Sequence, residues 1–389
     1  MGKFKITLLL SYICIASASA AIITPALPAI QHAFDLSMGS VEWVVSIFLL
    51  GYVIGQLIYG PLANRFGPLV ALRIGLVINL IGILICLASV DINSYVLLLF
   101  GRLITALGAA AGLACTFMLI HDLLSDEEAK HALSYSIVSF TVGVGLAVTI
   151  GGLITQHWGW HNCFWVLFIH GTLALVLTWR FAQSTVERQV ISLKSLCKNY
   201  SRVLSSKSLV IFSLTVGLTS IISYCYSAAA PIIAHDNLHL TAGSYGYWNL
   251  INMVGMFGSG FFSRGLLKRY RPITVIYVGF FGVFLCLLSF LVMHLINSLT
   301  VLPFFLTTSA LYFFGGLFFP SSSFYATRDS ADKASASSMM SFINMGTATL
   351  AVILMGYLPF SSFNAFFAML AFFWFVLIVL VSFMKKDHL

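Results

Sequence analysis

Residues Gly51–Val70 read GYVIGQLIYGPLANRFGPLV. The stretch begins as an apolar helix, stops at a short run holding Pro61, Asn64, Arg65, Gly67 and Pro68, and then turns apolar again. A compact polar break between two apolar segments, with an Arg that has no acid beside it, suits the point where one membrane-crossing helix meets water and the next begins. Composition extends this reading to the whole chain. Of 389 residues, 60% are hydrophobic and 8% charged, against about 25% charged in a soluble domain. So little charge cannot cover the chain with a water-compatible surface, and most of that surface must face lipid.

Crossing a bilayer takes about 20 apolar residues as a helix. The sequence offers twelve such segments: 6–30, 41–62, 70–90, 95–120, 132–155, 161–181, 208–235, 242–263, 273–294, 301–322, 336–357 and 363–384. Connections are short except for 182–207, AQSTVERQVISLKSLCKNYSRVLSSK, which is polar and basic. The expected fold is therefore an all-α integral membrane protein of twelve transmembrane helices. It divides into a six-helix bundle over 1–181, a cytoplasmic linker over 182–207 and a second six-helix bundle over 208–389. At the N-terminus, Lys3, Lys5, an apolar run and ASASAA imitate a signal peptide. The segment stays apolar to Ile30, so it reads as a retained first helix, with cleavage as the minor alternative.

The placement of Lys and Arg fixes an orientation. With a cytoplasmic N-terminus, 19 of the 20 fall at inward ends: Lys3, Lys5, Arg65, Arg73, Lys130, Arg180, the linker cations through Lys207, Arg264 to Arg271, Arg328, Lys333, Lys385 and Lys386. The positive-inside rule then predicts both termini in the cytoplasm. The formal charge of +8 belongs to that face and implies contact with anionic headgroups rather than nucleic acid. His32, His157, His235 and His239 fall on the opposite side. Gly60–Arg65 (GPLANR) and Gly260–Arg264 (GFFSR) each place an Arg after a Gly at an inner helix end, a faint echo of duplication. The seven Cys form no CxxC pair and most lie in apolar segments, which makes them small fillers rather than metal ligands or disulfides.

The loop after the second segment resembles the signature of the major facilitator superfamily at that position, roughly G-x-L-a-D-r-x-G-r. Gly60, Leu62, Ala63, Arg65 and Gly67 match, while Asn64 replaces the family Asp and Pro68 a basic residue. GRLITALGAAAG, with Arg102 and Gly108, resembles the fourth-helix pattern. LIHDLLSDEEAKHALS, with Asp122, GGLITQHWGWHNCFW, YFFGGLFFPSSSFYA and TPALPAIQHAF resemble, in order, segments of the Bcr/CflA and EmrD-like drug:proton antiporters. The resemblance implies an inner gate built from Gly60, Asn64, Arg65, Gly67 and Asp122. With Asn64, a charged latch there becomes at best a neutral hydrogen bond. Two departures bear on coupling: Ala21 stands where the group has an Asp, and Ala147 and Val148 where the fifth-helix antiporter motif has Gly-Pro.

Arg102 is the one basic residue outside the inward set, and it is followed by Thr105 and a run of small residues through Gly112 and Thr116. A charge within a span marks a functional site by default. The strip reads either as a cavity wall or, for Arg102, as a structural cap on backbone carbonyls. The twelve acids avoid the centres of the spans. Glu42 comes closest and is expected in the first turn of the second helix, where the macrodipole favours an acid; a proton site is the other reading. His170, mid-segment, is a second proton-coupling candidate against a hydrogen-bonded core His. Thr219 and Tyr226 on the seventh segment, Asn249 and Asn252 on the eighth, Tyr312 on the tenth and Asn344 on the eleventh lie on helices that the resemblance places at the cavity. Ordinary helix-bridging and lipid-facing roles compete for each.

His121 and Asp126 have an acyltransferase-like spacing, but no second element of such a site accompanies them. No Walker A sequence, zinc cluster or nucleophile elbow is evident, so no cofactor is expected and an enzyme is disfavoured. The expected function is secondary active transport by a monomer in a bacterial cytoplasmic membrane. Its form is export of a small amphipathic compound, a drug or a secreted metabolite such as a siderophore, against protons. Import or facilitated diffusion of a metabolite is the alternative, and a membrane sensor or enzyme the remote one.

Overall fold

Backbone polar groups in hydrocarbon must satisfy one another, and a helix does this within one segment. The computed structural model describes residues 2–181, 204–328, 330 and 333–384, and all of their regular structure is helical. In chain order the helices are α1 (Gly2–Ala21), α2 (Leu27–Ala33), α3 (Met38–Phe66), α4 (Pro68–Asp91), α5 (Tyr95–Leu123), α6 (Asp126–Trp158) and α7 (Asn162–Leu177). They continue with α8 (Lys207–Asp236), α9 (Ala242–Arg269), α10 (Pro272–Leu295), α11 (Val301–Gly316), α12 (Phe318–Arg328), α13 (Lys333–Gly356) and α14 (Ser362–Ser382). The linker expected over 182–207 lies, for 182–203, outside the described residues.

Among the described residues, eleven of the twelve expected spans are long and apolar enough to cross a membrane, with α1 and α2 forming one span and α11 and α12 another. The remaining segment is α9, 28 residues long and about 42 Å at 1.5 Å per residue. Ser244, Tyr245, Asn249 and Asn252 and the basic last turn lower its apolar character. Lipid-facing surface is plentiful: Val96, Phe261 and Phe281 are among the exposed apolar side chains, and exposed Trp158, Trp179 and Tyr357 sit near helix ends, as interfacial aromatics do.

The opening stretch folds differently from its sequence reading. α3 runs through Pro61 to Phe66, so the break narrows to Gly67 alone. Gly67 has φ +91° and ψ 149°, a conformation open to Gly and strained for a side chain. Its N–H caps the Ala63 carbonyl at 2.8 Å, and Pro68 starts α4, where its missing N–H costs nothing. At the start of α6, the Glu128 carboxylate accepts from the Ser125 N–H at 3.2 Å, a capping box that accounts for the S-x-x-E in that loop.

Packing divides the chain into two compact units, Met1–Ile191 with Thr241–Tyr247, and Ser192–Leu240 with Trp248–Leu389. In the first, α5 is the central helix, against α3, α4 and α1. In the second, α8 is central, against α11 to α14. A repeated turn supports duplication more strongly than the Gly–Arg echo. Ile92-Asn93-Ser94 and Ile296-Asn297-Ser298 end α4 and α10 alike, with left-handed Asn residues at φ 52° and 49°. Ser94 N–H bonds to the Ser89 carbonyl and Ser298 N–H to Met293, the same interval.

Candidate functional site

The first unit is organised around a broken helix. Pro25 has no N–H for the Ala21 carbonyl one turn back, so α1 stops at Ala21 and the chain passes through a short 3-10 turn, Thr24–Ala26, into α2. Three features stabilise the break. Thr24 Oγ1 donates to the Ala21 carbonyl at 2.9 Å. Gly151 of α6 admits the Ile22 carbonyl so closely that a Cβ there would lie 1.9 Å from it. Arg102 of α5, wholly buried, donates from Nη1 to the Ser19 carbonyl at 2.7 Å and from Nε to the Val44 carbonyl of α3 at 3.3 Å. Its guanidinium lies 4.3 Å from the Phe48 ring centroid, a cation–π contact. Nη2 is buried with no hydrogen-bond partner.

Arg102 therefore joins α5 to α1 and α3 through two backbone carbonyls, the capping role, and keeps one donor uncommitted. The small strip after it is packing surface. Thr105 Oγ1 bonds to its own helix at the Gly101 carbonyl, 2.8 Å, and the Thr105 carbonyl accepts from Asn79 Nδ2 at 2.8 Å. A Cβ at Gly82 would meet Thr105 Oγ1 at 2.6 Å, and one at Gly112 the Tyr12 carbonyl at 2.6 Å. Backbones of α4 and α1 thus fill positions expected to line a cavity. In lipid, close approach over small residues is the main source of helix association.

Glu42 is not in the first turn of its helix. Ser37 caps α3 and Met38 opens it, which puts Glu42 in the second turn, past the reach of the macrodipole. It is 4% exposed, its Oε2 has no hydrogen-bond partner, and no ion pair reaches it among the described residues. A fixed charge so placed is costly. His170 is partly buried on α7 and makes no hydrogen bond among the described residues.

In the second unit four polar residues from three helices form one chain. Tyr226 OH of α8 donates to Asn249 Oδ1 at 3.0 Å, Asn252 Nδ2 donates to the same oxygen at 3.0 Å, and Thr308 Oγ1 of α11 donates to Asn252 Oδ1 at 2.8 Å. The Tyr312 ring meets Tyr226 edge-on at 5.5 Å. The structure thus brings together Tyr226, Asn249, Asn252 and Tyr312, and adds Thr308, which an apolar stretch of sequence concealed. Thr219 has another role: its hydroxyl bonds to the Gly315 carbonyl at 2.8 Å, at the break between α11 and α12. Asn344 is 7% exposed and its Oδ1 is unpartnered.

Of the expected gate residues, Gly67 makes the turn described above. Gly60 has open space around the position of a Cβ, so close packing does not explain it. Asn64 is half-buried at the end of α3, Arg65 is exposed 5.2 Å from the Phe66 ring, and Asp122 is exposed near the end of α5.

A discontinuous first helix, a second break in the tenth span and polar groups inside each unit form the architecture of a secondary transporter. The sequence pattern described as Major Facilitator Superfamily matches residues 9–356. The chain belongs to the major facilitator superfamily. This transporter is 22% identical over 258 residues to the bicyclomycin resistance protein homolog of Haemophilus influenzae, a match covering 66% of the chain and 64% of the relative. It is 25% identical over 305 residues to multidrug resistance protein D of Escherichia coli, covering 76% and 74%. The chain thus spans slightly under two thirds of the Haemophilus relative's length. The crystal structure of a D-xylose-proton symporter superposes with a TM-score of 0.77 at 14% identity, covering 99% of each chain, and shares the fold. The family is one of membrane transporters, in keeping with the eleven helices among the described residues that are long and apolar enough to cross a membrane.

Proposed function

We propose that the transporter exports a small amphipathic compound in exchange for protons, by alternating access of halves 1–181 and 208–389 about the linker 182–207. Glu42 carries the proposal. It is a buried carboxyl with an unpartnered oxygen and no ion-pair partner among the described residues, so a proton is the simplest compensation for its charge. Ala21 removes the family's first-helix acid, and Glu42, on the adjoining helix α3, takes over its role. His170, partly exposed on α7, is the second candidate. Arg102 positions the first helix, and its free Nη2 supplies one donor to a carbonyl or anionic group of the cargo or to the proton site.

Tyr226, Asn249, Asn252, Thr308 and Tyr312 form the cargo-recognising face of the second unit, aromatic with few polar groups, as bulky amphipathic ligands require. Relatives named for drug resistance support export of a drug; a secreted amphipathic metabolite such as a siderophore is the other cargo proposed. The Lys and Arg partition supports an orientation with both termini inside, and the proposed setting is a bacterial cytoplasmic membrane, with the protein a monomer. Gly60, Asn64, Arg65, Gly67 and Asp122 form its inner gate. Ala21 and Val148 favour, as a second reading, an importer or uncoupled facilitator.

Proteoliposomes holding a pH-sensitive dye distinguish the two. Adding lipophilic cations or siderophores outside should alkalinise the lumen as cargo enters and protons leave. Cargo entry with unchanged or falling lumen pH would establish the second reading instead.

A further inference from the structure

Residues 237–328 contain no Asp or Glu, and four of their five basic residues, Arg264, Lys268, Arg269 and Arg271, fall within eight positions. All four are exposed at the turn from α9 to α10, and no ion pair reaches them among the described residues. Arg269 lies 5.8 Å from the Tyr270 ring centroid. The helix dipole accounts for two of these charges. Lys268 and Arg269 occupy the last turn of α9, whose negative end favours a cation. Arg264 lies a turn earlier, four residues from Lys268, where like charges repel. Arg271 is the N-cap of α10, where the dipole is positive and a cation is unfavourable, and its side chain makes no capping bond. Such a turn calls for an anion from outside the chain.

The surroundings identify what carries that anion. Val254, Phe261 and Lys268 follow one another at intervals of seven residues, about two turns, so they share one side of α9. Val254 and Phe261 are 69% and 76% exposed, and exposed apolar side chains in so apolar a chain face lipid. Thr274, Tyr277 and Phe281 share an exposed side of α10 in the same way. The cations thus end the lipid-facing sides of both helices, beside Tyr270, an exposed amphipathic ring of the kind found where membrane meets water. An anion attached to acyl chains meets both the cations and the apolar stripe, whereas a free anion leaves the stripe unused.

We infer that Arg264, Lys268, Arg269 and Arg271 hold the headgroup phosphates of anionic phospholipids, whose acyl chains lie along Val254 and Phe261. Headgroups form a surface, so the four cations need not converge on one point. The patch is independent of the direction of transport and of proton coupling.

The test is native mass spectrometry of the purified full-length transporter, in neutral detergent titrated with phosphatidylglycerol or phosphatidylcholine. Wild type should retain phosphatidylglycerol about tenfold better or more. Arg264→Gln with Lys268→Gln should lower that affinity about thirtyfold, at about fivefold for each cation. Arg180→Gln with Lys207→Gln removes the same charge from other exposed positions and should stay within about twofold of wild type. All four side chains are exposed, so both double variants should unfold at the wild-type temperature in lipid-free detergent. Equal retention of the two lipids, or equal losses in the two double variants, would overturn the proposal. Displacement of phosphatidylglycerol by millimolar glycerol phosphate would overturn it as well, by making the ligand a free phosphate.

Discussion

At Arg102 the charge, the hydrogen bonds and the neighbouring aromatic ring can be separated by substitution. Its guanidinium bridges two carbonyls on different helices while lying over Phe48. Lysine keeps the charge but not the planar fork. Arg102→Lys should therefore lose one of the two carbonyl bonds, lower stability by about 1–3 kcal/mol and slow transport, as thermal unfolding and flux measured on the same preparation would report. A variant as stable and active as wild type would remove Arg102 from the framework. Glu42 should behave in the opposite way. Glu42→Gln keeps the shape and removes the acid, so unfolding should occur at an equal or higher temperature while proton coupling disappears. Both residues stand out in the sequence as ionisable groups within or at the edge of an apolar segment. The Ser19 and Val44 carbonyls that hold Arg102 do not, because backbone acceptors leave no mark in residue identity. Glu42 looked like a helix-start acid because an apolar pattern does not show where Ser37 caps the helix.

Two helices are broken by the same means at the scale of the element. In each, a proline removes an N–H and a threonine hydroxyl satisfies a carbonyl at the break: Thr24 at Ala21, Thr219 at Gly315. Thr24→Val is nearly isosteric and leaves the Ala21 carbonyl without that donor, at a cost of about 1–2 kcal/mol; Thr24→Ser should recover most of it. Thermal unfolding of the pair checks this, and equal stability of the Val and Ser variants would mean that the hydroxyl does not hold the break. Span positions were legible from apolar runs, whose length the bilayer sets. Helix ends were not. Pro61 lies inside α3 although it reads as a stop, and the break falls at Gly67, whose positive φ depends on the path of the chain rather than on polarity. Thr105 and Gly112 read equally well as cavity or packing, because residue identity does not show that Gly82 of α4 and Tyr12 of α1 approach them so closely.

One turn recurs in the two units. The matching Ile-Asn-Ser turns after α4 and α10 are present in the sequence, yet three residues are too short to stand out before their common geometry is seen. The charge partition, by contrast, was legible at once because it sums over the whole chain. It predicts that cysteines placed singly at Asn93, His157, Asn237 and Ser298, in a background free of other cysteines, react with an impermeant maleimide added to intact cells, while Arg65→Cys and Arg269→Cys do not. Outside labelling at Arg65 or Arg269 would reverse the proposed orientation.

Proton-coupled export through Glu42 is tested most directly in inside-out membrane vesicles with an acid lumen, by following accumulation of a fluorescent lipophilic cation. Wild type should accumulate the dye while the pH gradient lasts and release it when a protonophore is added. Glu42→Gln should lose gradient-driven accumulation yet still exchange dye across the membrane when no gradient is imposed. Accumulation by Glu42→Gln equal to wild type, or wild-type accumulation indifferent to the pH gradient, would contradict the account.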